Sequence, residues 1–192
     1  MVRLVSTRGV KWRRRWLAGC LLALACVAGL AQQSKESSIK LSPAERARLQ
    51  WEAGYFLHVM GDYERAIEAF RASIAVQPSA EAHTFLGWTL SHTGKLEEAI
   101  VQCEIAIQID PDFGNPYNDI GVYLIDLGKP AEAVPWFEKA IKSKRYCCYQ
   151  FAHANLGRVL LGQGRVAEAQ RSFERALEHD SNYLPALAGL EY

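Results

Sequence analysis

Histidine and cysteine have the widest chemical reach of the side chains in this 192-residue chain, so their spacing is the first test of what it can do. His58 and His92 could supply half of a metal site, but no Cys or carboxylate stands at a spacing that completes the ligand set. Cys103 reads as a small buried hydrophobe. Cys147 and Cys148 are adjacent, and neighbouring Cα atoms lie ~3.8 Å apart, below the usual disulfide range. A ring between them would be strained and easily reduced. The pair reads as packed thiols or, in an oxidising compartment, as a link to another chain. No glycine-rich phosphate loop, Gly-x-Ser-x-Gly elbow or His-Glu-x-x-His is present. The expectation is a non-enzyme with no catalytic residue, no metal and no cofactor.

The charge distribution narrows the partners. The chain carries 22 Lys+Arg and 21 Asp+Glu, but six of the basic residues and none of the acids lie in residues 1–31. Residues 32–192 hold the remaining 16 basic residues against all 21 acids, a net of −5. Phosphate contact needs a surplus of Lys and Arg, which argues against nucleic acid.

The basic residues at the start belong to an address. Arg13-Arg14-Arg15 precedes an uncharged run from Trp16 to Ala31, which at ~1.5 Å per residue spans roughly 24 Å, short of a bilayer core of ~30 Å. A basic stretch followed by a short apolar one is the pattern of a secretory signal. Leu17-Ala18-Gly19-Cys20 resembles the bacterial lipoprotein box, but it follows Arg15 directly, leaving no inserted helix to cut. Leu22-Ala23-Leu24-Ala25-Cys26 is a looser match with Trp16 to Leu21 ahead of it, which makes Cys26 the lipidation candidate. Cleavage after Ala31 and retention as an anchor are the alternatives. Residues 32–46 read as a polar tether.

Periodicity organises the rest. Gly54/Gly61, Gly87/Gly94, Gly121/Gly128 and Gly157/Gly164 are pairs seven apart, offset by 33, 34 and 36 residues. Five residues after each second glycine stands an alanine (Ala66, Ala99, Ala133, Ala169), followed by Phe70, Cys103, Phe137 and Phe173 in register. Apolar residues three and four apart mark two amphipathic helices per unit. The first glycine allows close helix approach, and the second suits a left-handed helix cap. Such hairpins bury their apolar faces only by stacking.

With Phe85-Leu86-Gly87, Gly94-Lys95-Leu96-Glu97-Glu98-Ala99-Ile100 and Ala106 to Pro111, this pattern resembles the tetratricopeptide repeat. The resemblance implies an all-α, right-handed superhelical solenoid of four helical hairpins (47–79, 80–113, 114–149, 150–183) and a short capping helix over 184–192. Three departures stand out: Gln50 replaces the usual Trp, Lys144-Arg145 replaces Asp-Pro, and Pro135 falls inside a helix, where a kink is expected. Lys142 to Arg145 reads as solvated helix surface, and His83 and His153 fall at a position that normally packs.

In this family the concave face, lined by the first helix of each unit, holds a peptide or a partner's helix. Transferred unit by unit, its positions place Trp51, Tyr55, His58, Thr84, Trp88, His92, Asn118, Val122, Asp126 and Arg158 in the groove, with Arg48, Val59, Glu81, Ser91, Asn115, Ile125, Phe151, Ala154, Leu161 and Gly162 at further lining positions. The alternative for Trp51, Tyr55 and Trp88 is packing between adjacent helices. Trp51, Tyr55, Thr84 and Trp88 stand where a two-carboxylate clamp would need Lys and Asn, so an acidic chaperone terminus is not the expected ligand. Asn155 sits where family members hydrogen-bond the ligand backbone, but Phe85 and Asp119 replace it in earlier units. The whole layout resembles type IV pilus-biogenesis lipoproteins. That implies a protein partner, a membrane contact through the N-terminus only, and a position on the periplasmic side of a bacterial membrane with a lipid anchor; a homodimer through the incompletely capped C-terminal face is compatible with this. An N-terminally anchored cytoplasmic adaptor or co-chaperone is the alternative.

Overall fold

The computed structural model describes residues 40–191. Cys26, the apolar run and most of the expected tether lie outside the described residues. Among the described residues the chain forms nine helices in four hairpins and a final short helix: α1 (Pro43–Val59), α2 (Tyr63–Val76), α3 (Ala80–His92), α4 (Leu96–Ile109), α5 (Asn115–Asp126), α6 (Pro130–Lys142), α7 (Tyr149–Gly162), α8 (Val166–His179) and α9 (Leu184–Leu190). None of them is long and apolar enough to cross a membrane.

Local chemistry sets the helix ends. The Ser42 hydroxyl accepts the Glu45 N–H at 3.2 Å while the Glu45 carboxylate accepts the Ser42 N–H at 2.7 Å, a complete capping box. The first helix therefore starts at Pro43, inside the segment expected to be tether, because Ser42-x-x-Glu45 supplies a helix start. Asp62 and Ser79 cap α2 and α3 by the simpler device of a side-chain oxygen that accepts the N–H of Arg65 and of Ala82. Gly61, Gly94, Gly128 and Gly164, each between the two helices of a hairpin, all have positive φ, between 75° and 79°. Each donates its N–H three residues back, and its successor donates five residues back, as in Gly128 to Ile125 at 2.9 Å and Lys129 to Leu124 at 2.8 Å. These are Schellman caps, which require a left-handed residue and so favour glycine.

Packing within each hairpin rests on the first glycine of each pair. A Cβ built on Gly121 would lie 2.5 Å from the Phe137 ring, and one on Gly157 would lie 2.7 Å from the Phe173 ring. Phe70, Cys103 and Phe137 are fully buried between these glycines and the recurrent alanines, and Phe173 nearly so. Burial pushes the Cys103 thiol well above its ordinary pKa.

Contacts between units give the array its curvature. Helices α1, α3, α5 and α7 touch one another in sequence, whereas among the described residues α2, α4, α6 and α8 touch only first helices and α9. A stack in contact along one wall and spread along the other curves toward the contacting wall, so α1, α3, α5 and α7 line the concave side.

Three local features of the array stand out. Helix α6 continues through Pro135, whose missing N–H affects only the Ala131 carbonyl on an exposed stretch. The last unit is covered by Ala186, which is fully buried, and by Gly189 against Phe173, while Leu184, Leu187 and Leu190 stay exposed. Arg145 is not solvated helix surface. Helix α6 ends at Lys142, and the guanidinium reaches Glu81 at 2.7 Å and Asp110 at 2.6 Å while lying 4.1 Å from the centre of the Phe113 ring.

Candidate protein-binding groove

The concave wall holds a cavity of about 500 Å³ lined by α1, α3, α5, α7 and the loop before α7. Tyr55, Phe85, Trp88, Tyr146 and Phe151 form its aromatic part, and Thr84, Asn115, Asn118, Asp119 and Cys148 its polar part. The aromatic side is preassembled. Trp51 stacks on Tyr55 at 5.8 Å, and Phe85 meets Trp51, Tyr55 and Trp88 edge-on at 5.1, 5.6 and 5.8 Å. Aromatic pairs in these geometries add about 0.5–1.5 kcal/mol each beyond area burial, so the wall is stiff before any ligand arrives.

On the polar side, Asn118 donates to Asp119 at 3.4 Å and accepts from Asn155 at 3.2 Å. Burial pushes the Asp119 carboxyl up to about 7, against which the Asn118 bond is the weaker influence. The Tyr146 hydroxyl is enclosed and has no hydrogen-bond partner among the described residues. Apolar rings face acceptors and amides across the cavity, an arrangement suited to a peptide segment that brings an apolar anchor and hydrogen-bond donors.

The ten residues transferred by resemblance do not all meet there. Tyr55, Thr84, Trp88 and Asn118 line the cavity. Trp51 packs against the core and borders a second cavity of about 300 Å³ at the N-terminal end, its indole N–H enclosed without a partner among the described residues. His58 is buried between helices, its Nδ1 3.0 Å from the Thr89 hydroxyl and its ring 3.7 Å from the centre of Trp88. It therefore supports the wall rather than facing the groove. His92 is exposed at the end of α3, 5.0 Å from the His58 ring, and the described residues contain no group of three or more side chains able to hold a metal. Val122 packs against the core and Asp126 is exposed at the end of α5. Arg158, also exposed, borders a smaller cavity of about 200 Å³ between α7 and α9.

Four lining residues escaped the transfer. Phe85 and Asp119 stand one place beyond a groove position, where only their correspondence to Asn155 hinted at them. Tyr146 and Cys148 come from a connection longer than the repeat allows, so no family position predicts them. That connection is pinned from outside: the Arg145 N–H donates to the Asp112 carbonyl at 2.9 Å and its carbonyl accepts from Gly114 at 3.0 Å. A side chain on Gly114 would strike Tyr146. The charge pairs of Arg145 and its ring contact hold the loop so that Tyr146 and Cys148 reach the groove.

The buried histidines make stability depend on pH. Burial and the neighbouring His92 lower His58 to about 4, and burial, His179 and Arg175 lower His153 likewise. Below the ordinary histidine value of 6.5, the unfolded chain takes up protons that the folded chain refuses. These groups therefore cost stability as pH falls to about 4, below which the loss levels off. Asp119 acts in the opposite sense, binding a proton in the folded chain from about 7 downward while the unfolded carboxyl waits until 3.8. Urea denaturation across this range should show a shallower acid loss in His58→Gln and a steeper one in Asp119→Asn than in the wild type.

Tetratricopeptide repeat models match residues 59–112, 117–145 and 150–183, together more than half of the chain. The chain belongs to the tetratricopeptide repeat family. It is 32% identical over 107 residues to DnaJ homolog subfamily C member 3 of Rattus norvegicus, a match that covers 56% of this chain. The chain spans about a fifth of the length of that relative. In fold it is similar to PilF of Pseudomonas aeruginosa, with a TM-score of 0.72 at 22% identity, covering 77% of this chain and 67% of the other. It is also similar to PilW, a widely conserved type IV pilus biogenesis factor, with a TM-score of 0.67 at 22% identity over 75% and 70% of the two chains. Tetratricopeptide repeat proteins bind protein partners and are generally non-catalytic scaffolds, and this fold is that of a protein–protein interaction scaffold.

Proposed function

We propose that this chain is an exported scaffold, tethered to a membrane through its N-terminus, that holds a peptide or helix of a partner in its concave groove and assists assembly of an envelope complex. The observation that carries the reading is the aromatic cavity of about 500 Å³ formed across α1, α3, α5 and α7. Its rings anchor an apolar side chain, and Asp119, Asn115 and Asn118 favour a segment rich in hydrogen-bond donors over one ending in carboxylates. The tether follows from the basic and apolar stretches ahead of Gln32, with Cys26 as the acylated residue and the periplasmic side of a bacterial membrane as the location. Likeness in fold to a pilus biogenesis factor supports assembly as the task. The exposed Leu184, Leu187 and Leu190 are compatible with a homodimer through the C-terminal face.

Detergent phase partitioning of the wild type and Cys26→Ser, with intact mass of the mature N-terminus, tests the tether. The wild type is expected in the detergent phase, beginning at an acylated Cys26, and the variant is expected to lose the acyl group. An aqueous protein beginning near Gln32 would instead make it a free exported adaptor. An intact Met1 in both proteins would favour the cytoplasmic adaptor or co-chaperone, a reading that the similarity to a DnaJ homolog also supports.

A further inference from the structure

We infer that Cys147 and Cys148 form a reversible thiol–disulfide site on the groove wall, closed by exchange with a small-molecule disulfide. Its consequence for partner binding rests on the function proposed above, but the chemistry of the site does not. The two sulfurs lie 2.7 Å apart. Cys147 is exposed, whereas Cys148 is half-buried and packs beside Ala140, Tyr146 and Ala152, so only Cys148 is a packed thiol. Cys148 lines the cavity together with Trp88, Tyr55 and Phe151. Cys103, by contrast, is sealed in the core.

The backbone leaves the thiols available. Cys148 is the N-cap of α7, yet its side chain makes no capping bond; its carbonyl accepts the Phe151 N–H at 3.0 Å instead. The helix start therefore does not depend on a free Cys148 thiol. The loop ahead of it is held by Arg145 and by Tyr146 against Gly114, which keeps the two sulfurs together at the groove rim.

Exposure sets the order of events. The Cys147 thiolate attacks one sulfur of the external disulfide and expels the first small thiolate, leaving a mixed disulfide on Cys147. Cys148, whose thiol is pushed up to about 11 mainly by burial, then gives its proton to the first expelled thiolate and attacks the Cys147 sulfur, expelling the second thiolate, which takes from water the proton that Cys147 gave up. One external disulfide becomes two thiols, and two protein thiols become one disulfide. Because adjacent residues close a strained ring, the bond is easily reduced and the site is reversible. Closure removes an S–H donor from the cavity wall.

Incubating the full-length chain with glutathione disulfide, alkylating it and digesting it with trypsin tests the site, because Tyr146–Arg158 contains these two cysteines and no other. The expected product is that peptide lighter by two hydrogens and unalkylated, returning to the dithiol form with dithiothreitol. Oxidation should also quench tryptophan emission in the wild type by more than in Trp88→Phe. Cys148→Ser should keep glutathione on Cys147, and Cys147→Ser should react more slowly. A doubly alkylated peptide, a lasting mixed disulfide in the wild type, a chain-to-chain cross-link or equal reactivity of the two variants would overturn the inference. Failure of the groove to capture a partner while the peptide still closes would count against the proposed function and leave the thiol site standing.

Discussion

Gly121→Leu is expected to lower stability by about 1–3 kcal/mol or more, because the added side chain meets a core that has no room for it. A Cβ alone would lie 2.5 Å from the fully buried Phe137 ring, so even the first carbon demands that α5 and α6 move apart. The ring cannot swing aside, because it fills the interior of its hairpin beside Ala133 and Ala140, both fully buried. The reciprocal change, Phe137→Ala, should cost about 3–5 kcal/mol through lost burial and the cavity left behind. If the two side chains compete for one volume, the double variant will be destabilised by less than the sum of the singles. Urea midpoints of the four proteins check this. An unchanged midpoint in Gly121→Leu, or strict additivity, would mean the glycine does not set the helix approach.

Trp88→Ala is the second large effect, and it concerns binding. Trp88 is half-buried, borders the central cavity and rests on His58 at 3.7 Å. A central aromatic anchor contributes about 2 kcal/mol or more to an interface, so partner capture should weaken by roughly 30-fold or more. The structure also gives Trp88 a packing role through His58, Phe85 and His92, so a modest loss of melting temperature is expected alongside. Tyr55→Ala is a useful companion because Tyr55 is 43% exposed and lines the same cavity. If both variants weaken capture while helical content holds, the groove is the binding surface. Full capture by Trp88→Ala would remove the cavity from consideration.

These expectations rest unequally on sequence and structure. The repeat was legible because its signals are local and recur: a left-handed cap demands glycine wherever a helix must turn back within three residues, and a close crossing demands a small residue opposite a large one. Gly61, Gly94, Gly128 and Gly164 and the series from Phe70 to Phe173 therefore disclosed the hairpins without coordinates. The start of α1 is also written locally, in Ser42 and Glu45, within a stretch whose polar composition suggests a tether.

The composition of the groove was decided by tertiary structure. Position in the repeat places a residue on a helix, but exposure depends on how far the neighbouring helix is displaced, which is why His58 turns into the interface while Phe85 and Asp119 join the cavity. Tyr146 and Cys148 arrive through a connection that breaks the repeat and is held by Arg145 bridging Glu81 and Asp110, residues 64 and 35 positions away in the chain. No periodicity could report such a contact, because nothing in the spacing of the sequence records which distant carboxylates a loop arginine will meet.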